Sequence, residues 1–127
     1  MRVLRGVSAF MAALFVFAAV LQYNDPDPLR WMVIYLSAGV ASFLQVVGRL
    51  RWHISACVGL FALVWAGTIA VRVLGLVRFS ELFAAWEMAN PTIEEAREMY
   101  GLLITACWMA LLTGGALRQR RCVVVRY

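Results

Sequence analysis

The chain has 127 residues, of which 64% are hydrophobic and 15% are charged, and its mean hydropathy is +0.80. A soluble domain of this size has too much surface for its volume to hide so many apolar side chains, so the composition excludes that class and predicts a membrane protein. The net charge is +5, and every positively charged side chain is an arginine. These arginines lie at the ends of apolar runs, which is typical of the flanks of membrane spans and argues against a nucleic-acid-binding surface.

Four long apolar runs predict an all-α, polytopic membrane protein: one transmembrane domain over residues 1–127, built as a four-helix bundle. About twenty residues at a rise of 1.5 Å span a hydrocarbon core of roughly 30 Å. A short amphipathic helix is expected in the membrane surface before the last span, where Asn90-Pro91 ends it. The expected helices are 3–23, 28–48, 54–77, the interfacial 80–89, and 93–117.

The first apolar run follows Arg2 and Arg5, a pattern that is also typical of a secretory signal peptide. The residues just before Gln22 are bulky and offer no clear small-x-small cleavage site. We therefore expect a retained first helix.

The stretch from Gln22 to Pro28 separates the first two helices. Residues that precede proline avoid the α region, so Asp25 and Asp27 are expected outside helical geometry. Asp27 followed by Pro28 predicts a helix N-cap with proline at the first helical position. Asp25 has no such structural role in the sequence and is the first choice for a functional carboxylate.

The arginines predict the orientation. With four spans, both termini and the second connection share one side, which carries no acid, and all the acids lie on the other side with four arginines. The arginine excess predicts that both termini are cytoplasmic, in an inner membrane of the bacterial type. The acid-free side carries Arg2, Arg5, Arg49, Arg51, Arg118, Arg120, Arg121 and Arg126.

The two acidic turns are therefore expected beside each other outside the membrane, and this is the predicted site. Glu94 and Glu98 are four residues apart on one helix face and repel each other, so nearby cations should compensate them. Arg72, inside the end of the third span, is expected either to reach the headgroups or to pair with Asp25 or a fourth-helix glutamate. An ion-pair network is one interpretation of the site, and oxygen ligands for a hard cation such as Ca²⁺ are the other. The predicted site comprises Asn24, Asp25, Asp27, Arg72, Glu94, Arg97 and Glu98.

The stretch Gln22-Tyr23-Asn24-Asp25-Pro26-Asp27-Pro28, followed by Trp31 and Tyr35, resembles the transmembrane protein 220 family. A second matching stretch is Glu94 with Arg97-Glu98 and Gly101. The resemblance implies a small polytopic membrane protein and brings no catalytic residues with it.

No nucleophile elbow, phosphate loop, paired-histidine motif or CxxC is present, so neither an enzyme nor a cofactor is expected. The first hypothesis for function is an accessory or scaffold subunit that packs against a larger membrane partner through its aromatic surface. The alternative is a component that binds or transports an ion or small molecule between the two acidic turns. The expected partners are the lipid bilayer and a larger membrane complex, and no nucleic acid.

Overall fold

The computed structural model describes the backbone of residues 2–73 and 91–126, with side chains from residue 95 onward in the second range. Four helices, α1 (Arg2–Leu21), α2 (Pro28–Val46), α3 (Trp52–Val73) and α4 (Pro91–Val124), account for almost all of these residues. All four are long and apolar enough to cross a membrane. The all-α, four-span architecture predicted from the sequence is confirmed. The interfacial helix expected over 80–89, and the last residues of the third predicted helix, lie outside the described residues.

The turn between α1 and α2 follows its prolines. A 3-10 turn, Gln22–Asn24, ends α1, and Asp25 before Pro26 adopts extended backbone with φ −74° and ψ 149°. Pro28 then begins α2, where its missing N–H and fixed φ do no harm.

α2 ends at Val46, and the chain turns two residues later at Gly48. Gly48 has φ +72°, a left-handed conformation that side chains with a Cβ rarely adopt. The N–H of Arg49 donates to the Leu44 carbonyl at 2.8 Å, and the N–H of Gly48 donates to the Gln45 carbonyl at 3.2 Å. This Schellman pattern satisfies two end carbonyls and turns the chain sharply into α3.

The last helix is longer than expected: α4 continues to Val124, seven residues beyond the predicted end at 117. Arg118 to Arg121 are good helix formers, and neither proline nor glycine follows Gly115, so nothing in the local sequence stops the helix. At 34 residues it is about 51 Å long, which exceeds the hydrocarbon core by about 20 Å.

The helices pack mainly in two pairs, α1 against α2 and α3 against α4, with lighter contact of α2 with α3 and α4. Glycines allow close approach within each pair. A β-carbon on Gly39 would lie 3.5 Å from the Phe15 β-carbon, and one on Gly59 would lie only 2.8 Å from the Met109 β-carbon. Since lipid tails are as apolar as leucine, such close packing is what holds membrane helices together.

One buried and one partly buried hydrogen bond add to the packing between the described helices. The Trp108 indole N–H donates to the Ser42 hydroxyl at 2.9 Å and joins α4 to α2. The hydroxyls of Ser55 and Thr113 lie 2.8 Å apart and join α3 to α4. Both bonds satisfy polar groups that lipid could not solvate.

Candidate binding site at the polar end of the bundle

The turn that carries the two aspartates is stabilised from within. The Asp27 N–H donates to Asp25 Oδ1 at 3.2 Å, and the Asp25 N–H donates to the Gln22 carbonyl at 3.0 Å. Asp25 therefore has a structural role that the sequence reasoning did not give it. Its second carboxylate oxygen is left for other contacts.

The capping role predicted for Asp27 is only half right. Asp27 occupies the N-cap position of α2, but its side chain makes no capping hydrogen bond. Its Oδ2 instead accepts a 2.6 Å bond from the guanidinium of Arg30, three residues along. A carboxylate forms charge-assisted bonds both with an N-cap backbone N–H and with a guanidinium, and here Arg30 is the partner within reach.

Arg30 leads from the turn into a row of aromatic rings. Its guanidinium lies 5.8 Å from the centre of the Trp65 ring, within the range of a cation–π interaction. Trp65 stacks on Trp31 at 4.5 Å between ring centroids, and Trp31 stacks on Tyr35 at 6.2 Å. This row joins α2 to α3 and forms an apolar floor beneath the charged residues.

Arg72 pairs with a glutamate of the fourth helix, one of the two partners considered from the sequence. Its Nε lies 3.4 Å from Oε2 of Glu95, and the two side chains are 60% and 42% exposed. A pair this long and this exposed contributes little to stability. It does show that the ends of α3 and α4 meet beside the aspartate turn.

Described residues at this end of the bundle line two cavities, and we call the residues around them the polar cap. The first, of about 320 Å³, lies between the end of α1 and the start of α4, and the second, of about 260 Å³, lies between the aspartate turn and α3. Asp25, Trp31 and Glu98 line both cavities. The aspartate turn and the described glutamates at the start of α4, Glu95 and Glu98, thus lie at the same end of the bundle. The charged and amide members of the cap are Gln22, Asn24, Asp25, Asp27, Arg30, Arg72, Glu95, Arg97 and Glu98.

Tyr35 closes the first cavity from below and depends on a glycine of α4. A β-carbon on Gly101 would lie 2.6 Å from the Tyr35 hydroxyl oxygen, so a side chain there would displace the ring. Because Gly101 has no side chain, the Tyr35 hydroxyl packs directly against α4, one helical turn after Arg97 and Glu98. The two stretches that carry the family resemblance meet at this contact.

The cap is a mixed-charge surface with a small negative excess. Its described members include four carboxylates and three guanidinium groups. Among the described residues, no group of three His, Cys, Asp or Glu side chains is arranged to hold a metal ion. What the geometry offers instead is separated carboxylates above aromatic rings.

Most of the predicted site residues come together, and the prediction missed several contributors. Asn24, Asp25, Asp27, Arg72, Arg97 and Glu98 all line one or both cavities, whereas the side chain of Glu94 lies outside the described part. The cap also contains Gln22, Arg30, Trp65 and Glu95, which the predicted site did not include. Trp65 carried a usable signal, because it lies seven residues before Arg72 and therefore on the same face of α3.

Comparisons with known proteins agree with this architecture. The model of the family described as "Transmembrane family 220, helix" matches residues 14–114. A curated relative, Transmembrane protein 220 of Xenopus laevis, is 30% identical over 116 residues, which cover 87% of this chain and 58% of the relative. The chain therefore spans a little over half the length of that relative. No solved structure matches.

Proposed function

The chain belongs to transmembrane family 220, and we propose that, as an integral membrane protein of this family, it acts without catalysis and binds a small cationic solute at its polar cap. One observation supports this most directly. Polar side chains from the end of α1, the aspartate turn and the start of α4 surround a cavity of about 320 Å³ that has aromatic rings in its wall. Its volume lies at the lower end of the range for small-molecule sites, and its wall combines polar side chains with two aromatic rings.

The charge of the cap favours a cation. Four carboxylates outnumber three guanidinium groups among the described residues around the two cavities. Trp31 and Tyr35 line the first cavity with Asp25, and aromatic faces beside a carboxylate are typical of sites that bind organic ammonium groups. An amine or quaternary ammonium therefore matches the cap better than an anion does.

Binding fits the cap better than catalysis because its charged groups are already engaged with each other. Asp27 holds Arg30, Arg72 holds Glu95, and Asp25 accepts the N–H of its own turn. Such pairing fixes the shape of a site.

A thermal-shift titration of the purified protein with choline, ethanolamine and CaCl₂ tests this proposal. We expect the two ammonium compounds to raise the unfolding temperature and Asp25→Asn to abolish the rise. Arg120→Gln, at the opposite end of α4, is the matched control and should respond like the wild type. No response to either ammonium compound, or an equal response of the Asp25→Asn variant, would refute the proposal.

A second candidate, an accessory subunit of a larger membrane assembly, is supported by the exposure of α1. Only 17% of its span is buried, and Phe10 and Phe17, seven residues apart, are 63% and 60% exposed on its outer face. A stoichiometric partner that co-purifies in mild detergent, and is lost from a Phe10→Ala/Phe17→Ala variant, would support this role. Isolation of the wild type only as a free monomer would count against it.

The proposed location is a bacterial-type inner membrane with both termini in the cytoplasm. The arginines of the termini and of the α2–α3 connection support this orientation. A β-carbon on Gly48 would lie 3.5 Å from the Arg5 guanidinium, so the N-terminal segment and the α2–α3 connection meet at one end of the bundle. Reporter fusions at residue 26 and at the C-terminus should report opposite sides, with the C-terminus cytoplasmic.

A further inference from the structure

A long groove runs between α2 and α3 on the surface that faces the lipid. It has a volume of about 790 Å³ and is lined almost wholly by apolar side chains. Val33, Phe61 and Val64 line it and are 56%, 62% and 59% exposed. It exists because α2 packs mainly on α1 and α3 mainly on α4, so that α2 and α3 touch only lightly.

The groove presents a dry, apolar surface although two hydroxyls line it. The Ser37 hydroxyl donates to the Val33 carbonyl at 2.7 Å, and the Thr68 hydroxyl donates to the Trp65 carbonyl at 2.7 Å. Both hydroxyls are therefore satisfied within their own helices. These two hydroxyls therefore do not favour a polar molecule in the groove.

The length of the groove matches one leaflet of a bilayer. Its lining runs from Leu29 to Ser37 on α2 and from Cys57 to Thr68 on α3, which is about 12 Å and about 16 Å at a rise of 1.5 Å per residue. Half of a hydrocarbon core of roughly 30 Å is about 15 Å. In a membrane an open groove is occupied, because the side chains that line an empty groove would lose their dispersion contacts. An acyl chain has the length needed to occupy this groove.

The mouth of the groove opens at the polar cap. Arg30 and Trp65 line both the groove and the second cavity of the cap, so the two spaces adjoin. In its bond to Asp27, Arg30 uses one of the five N–H donors of its guanidinium, and its side chain is 64% exposed. The mouth therefore offers a cation to a phosphate and, within the adjoining cavity, carboxylates to an ammonium group.

We propose that the groove holds an acyl chain of a zwitterionic phospholipid, with its phosphate at Arg30 and its headgroup ammonium in the polar cap. This rests on the proposed function, because it identifies the small cation of the cap as the head of a lipid. The arrangement of charges at the mouth of the groove favours a zwitterionic lipid over a transmembrane helix or an anionic lipid. A transmembrane helix of a second copy or of a partner would fill the groove but leave the ammonium side of the cap unused, and an anionic lipid would bring negative charge to four carboxylates.

Native mass spectrometry of the full chain tests the proposal after equilibration with phosphatidylethanolamine or phosphatidylglycerol of the same acyl chains. The wild type should retain about tenfold more phosphatidylethanolamine, the ratio that one charge-assisted contact provides. Asp25→Asn should remove the preference, and Arg30→Gln should weaken retention of both lipids. Val33→Phe fills the groove and should weaken retention of both lipids while leaving the thermal shift with free ethanolamine unchanged. Arg120→Gln is the matched control and should retain lipid like the wild type.

The outcomes separate the two proposals. A thermal shift with free ethanolamine, combined with equal retention of the two lipids, would overturn the lipid proposal and leave the proposed function standing. Full retention by Val33→Phe, or a wild type recovered as a dimer without lipid, would also overturn it. Failure of both free ethanolamine and free choline to bind would overturn both proposals.

Discussion

Replacing Ser42 by alanine should destabilise the bundle, because Ser42 accepts the only indole hydrogen bond that joins two helices in the described part of the chain. Its hydroxyl receives the Trp108 N–H at 2.9 Å and donates to the Ala38 carbonyl at 2.9 Å. Ser42 is 0% exposed and Trp108 is 8% exposed, so neither water nor lipid headgroups can replace the lost partner.

The magnitude follows from these contacts. Hydrogen bonds between membrane helices contribute about 0.6 kcal/mol on average and up to about 1.7. A buried donor left without a partner costs about 1–3 kcal/mol. Since the substitution removes one oxygen atom and leaves almost no void, we expect a loss of about 1–2 kcal/mol in the free energy of unfolding.

Reversible unfolding by titration with SDS in mixed micelles measures this loss, and the chain provides its own control. Ser8 is also 0% exposed, but its hydroxyl has no hydrogen-bond partner within the part of the chain that the structure describes. Ser8→Ala should therefore be neutral or stabilising by up to about 1 kcal/mol.

A double-mutant cycle isolates the bond. Trp108→Phe removes the donor, so adding Ser42→Ala to it should cost about 1 kcal/mol less than Ser42→Ala costs alone. Equal losses for Ser42→Ala and Ser8→Ala, or additive effects in the cycle, would show that the bond contributes nothing and refute the reasoning.

The remaining predictions concern close packing and surface charge. Gly59→Ala would place a β-carbon 2.8 Å from that of Met109 and should cost about 1–3 kcal/mol, whereas Gly67→Ala on the same helix meets nothing within 4 Å and should be neutral or stabilising by up to about 1 kcal/mol. Both can be read from the same SDS titration, and equal effects would contradict the packing argument. Arg72→Gln should cost less than about 1 kcal/mol, since its pair with Glu95 is long and exposed. A loss of several kcal/mol, unchanged by salt, would mean that the pair is buried in the membrane-embedded protein.

The number of membrane-spanning helices and the location of the polar end could be predicted from the sequence, because each rests on a strong local pattern. Runs of about twenty apolar residues identify the spans, and two prolines after aspartates place the turn. Antiparallel connectivity alone then puts the aspartate turn and Glu98 at the same end.

The pairing of helices was not readable, and the physical reason is the solvent. A helix in water shows its packed face as an apolar stripe, but a helix in lipid is apolar all round. Phe15 is buried and Phe17 is exposed in α1, and nothing in their chemistry distinguishes them. The groove between α2 and α3 therefore became visible only in three dimensions, together with the position of Trp65 at its mouth.

The side-chain roles at the turn were ambiguous for a different reason. Asp27 could cap α2 or hold Arg30, and the competition is decided by geometry over three residues, with a bond of 2.6 Å to the guanidinium. Asp25, which lacked an assigned structural role, accepts the N–H of Asp27. Local polar contacts of similar strength compete for the same side chain, and the residue pattern does not show which of them forms.

The pairwise packing of the helices bears on how the chain assembles. α1 with α2, and α3 with α4, are neighbours in sequence: six residues separate the helices of the first pair and 17 those of the second, so the contacts within each pair are local in the chain. Local contacts of this kind form early, since little loop entropy opposes them. The chain is thus suited to enter the bilayer as two helix pairs that form separately. The Schellman turn at Gly48 connects the two pairs and lies where they pack against each other.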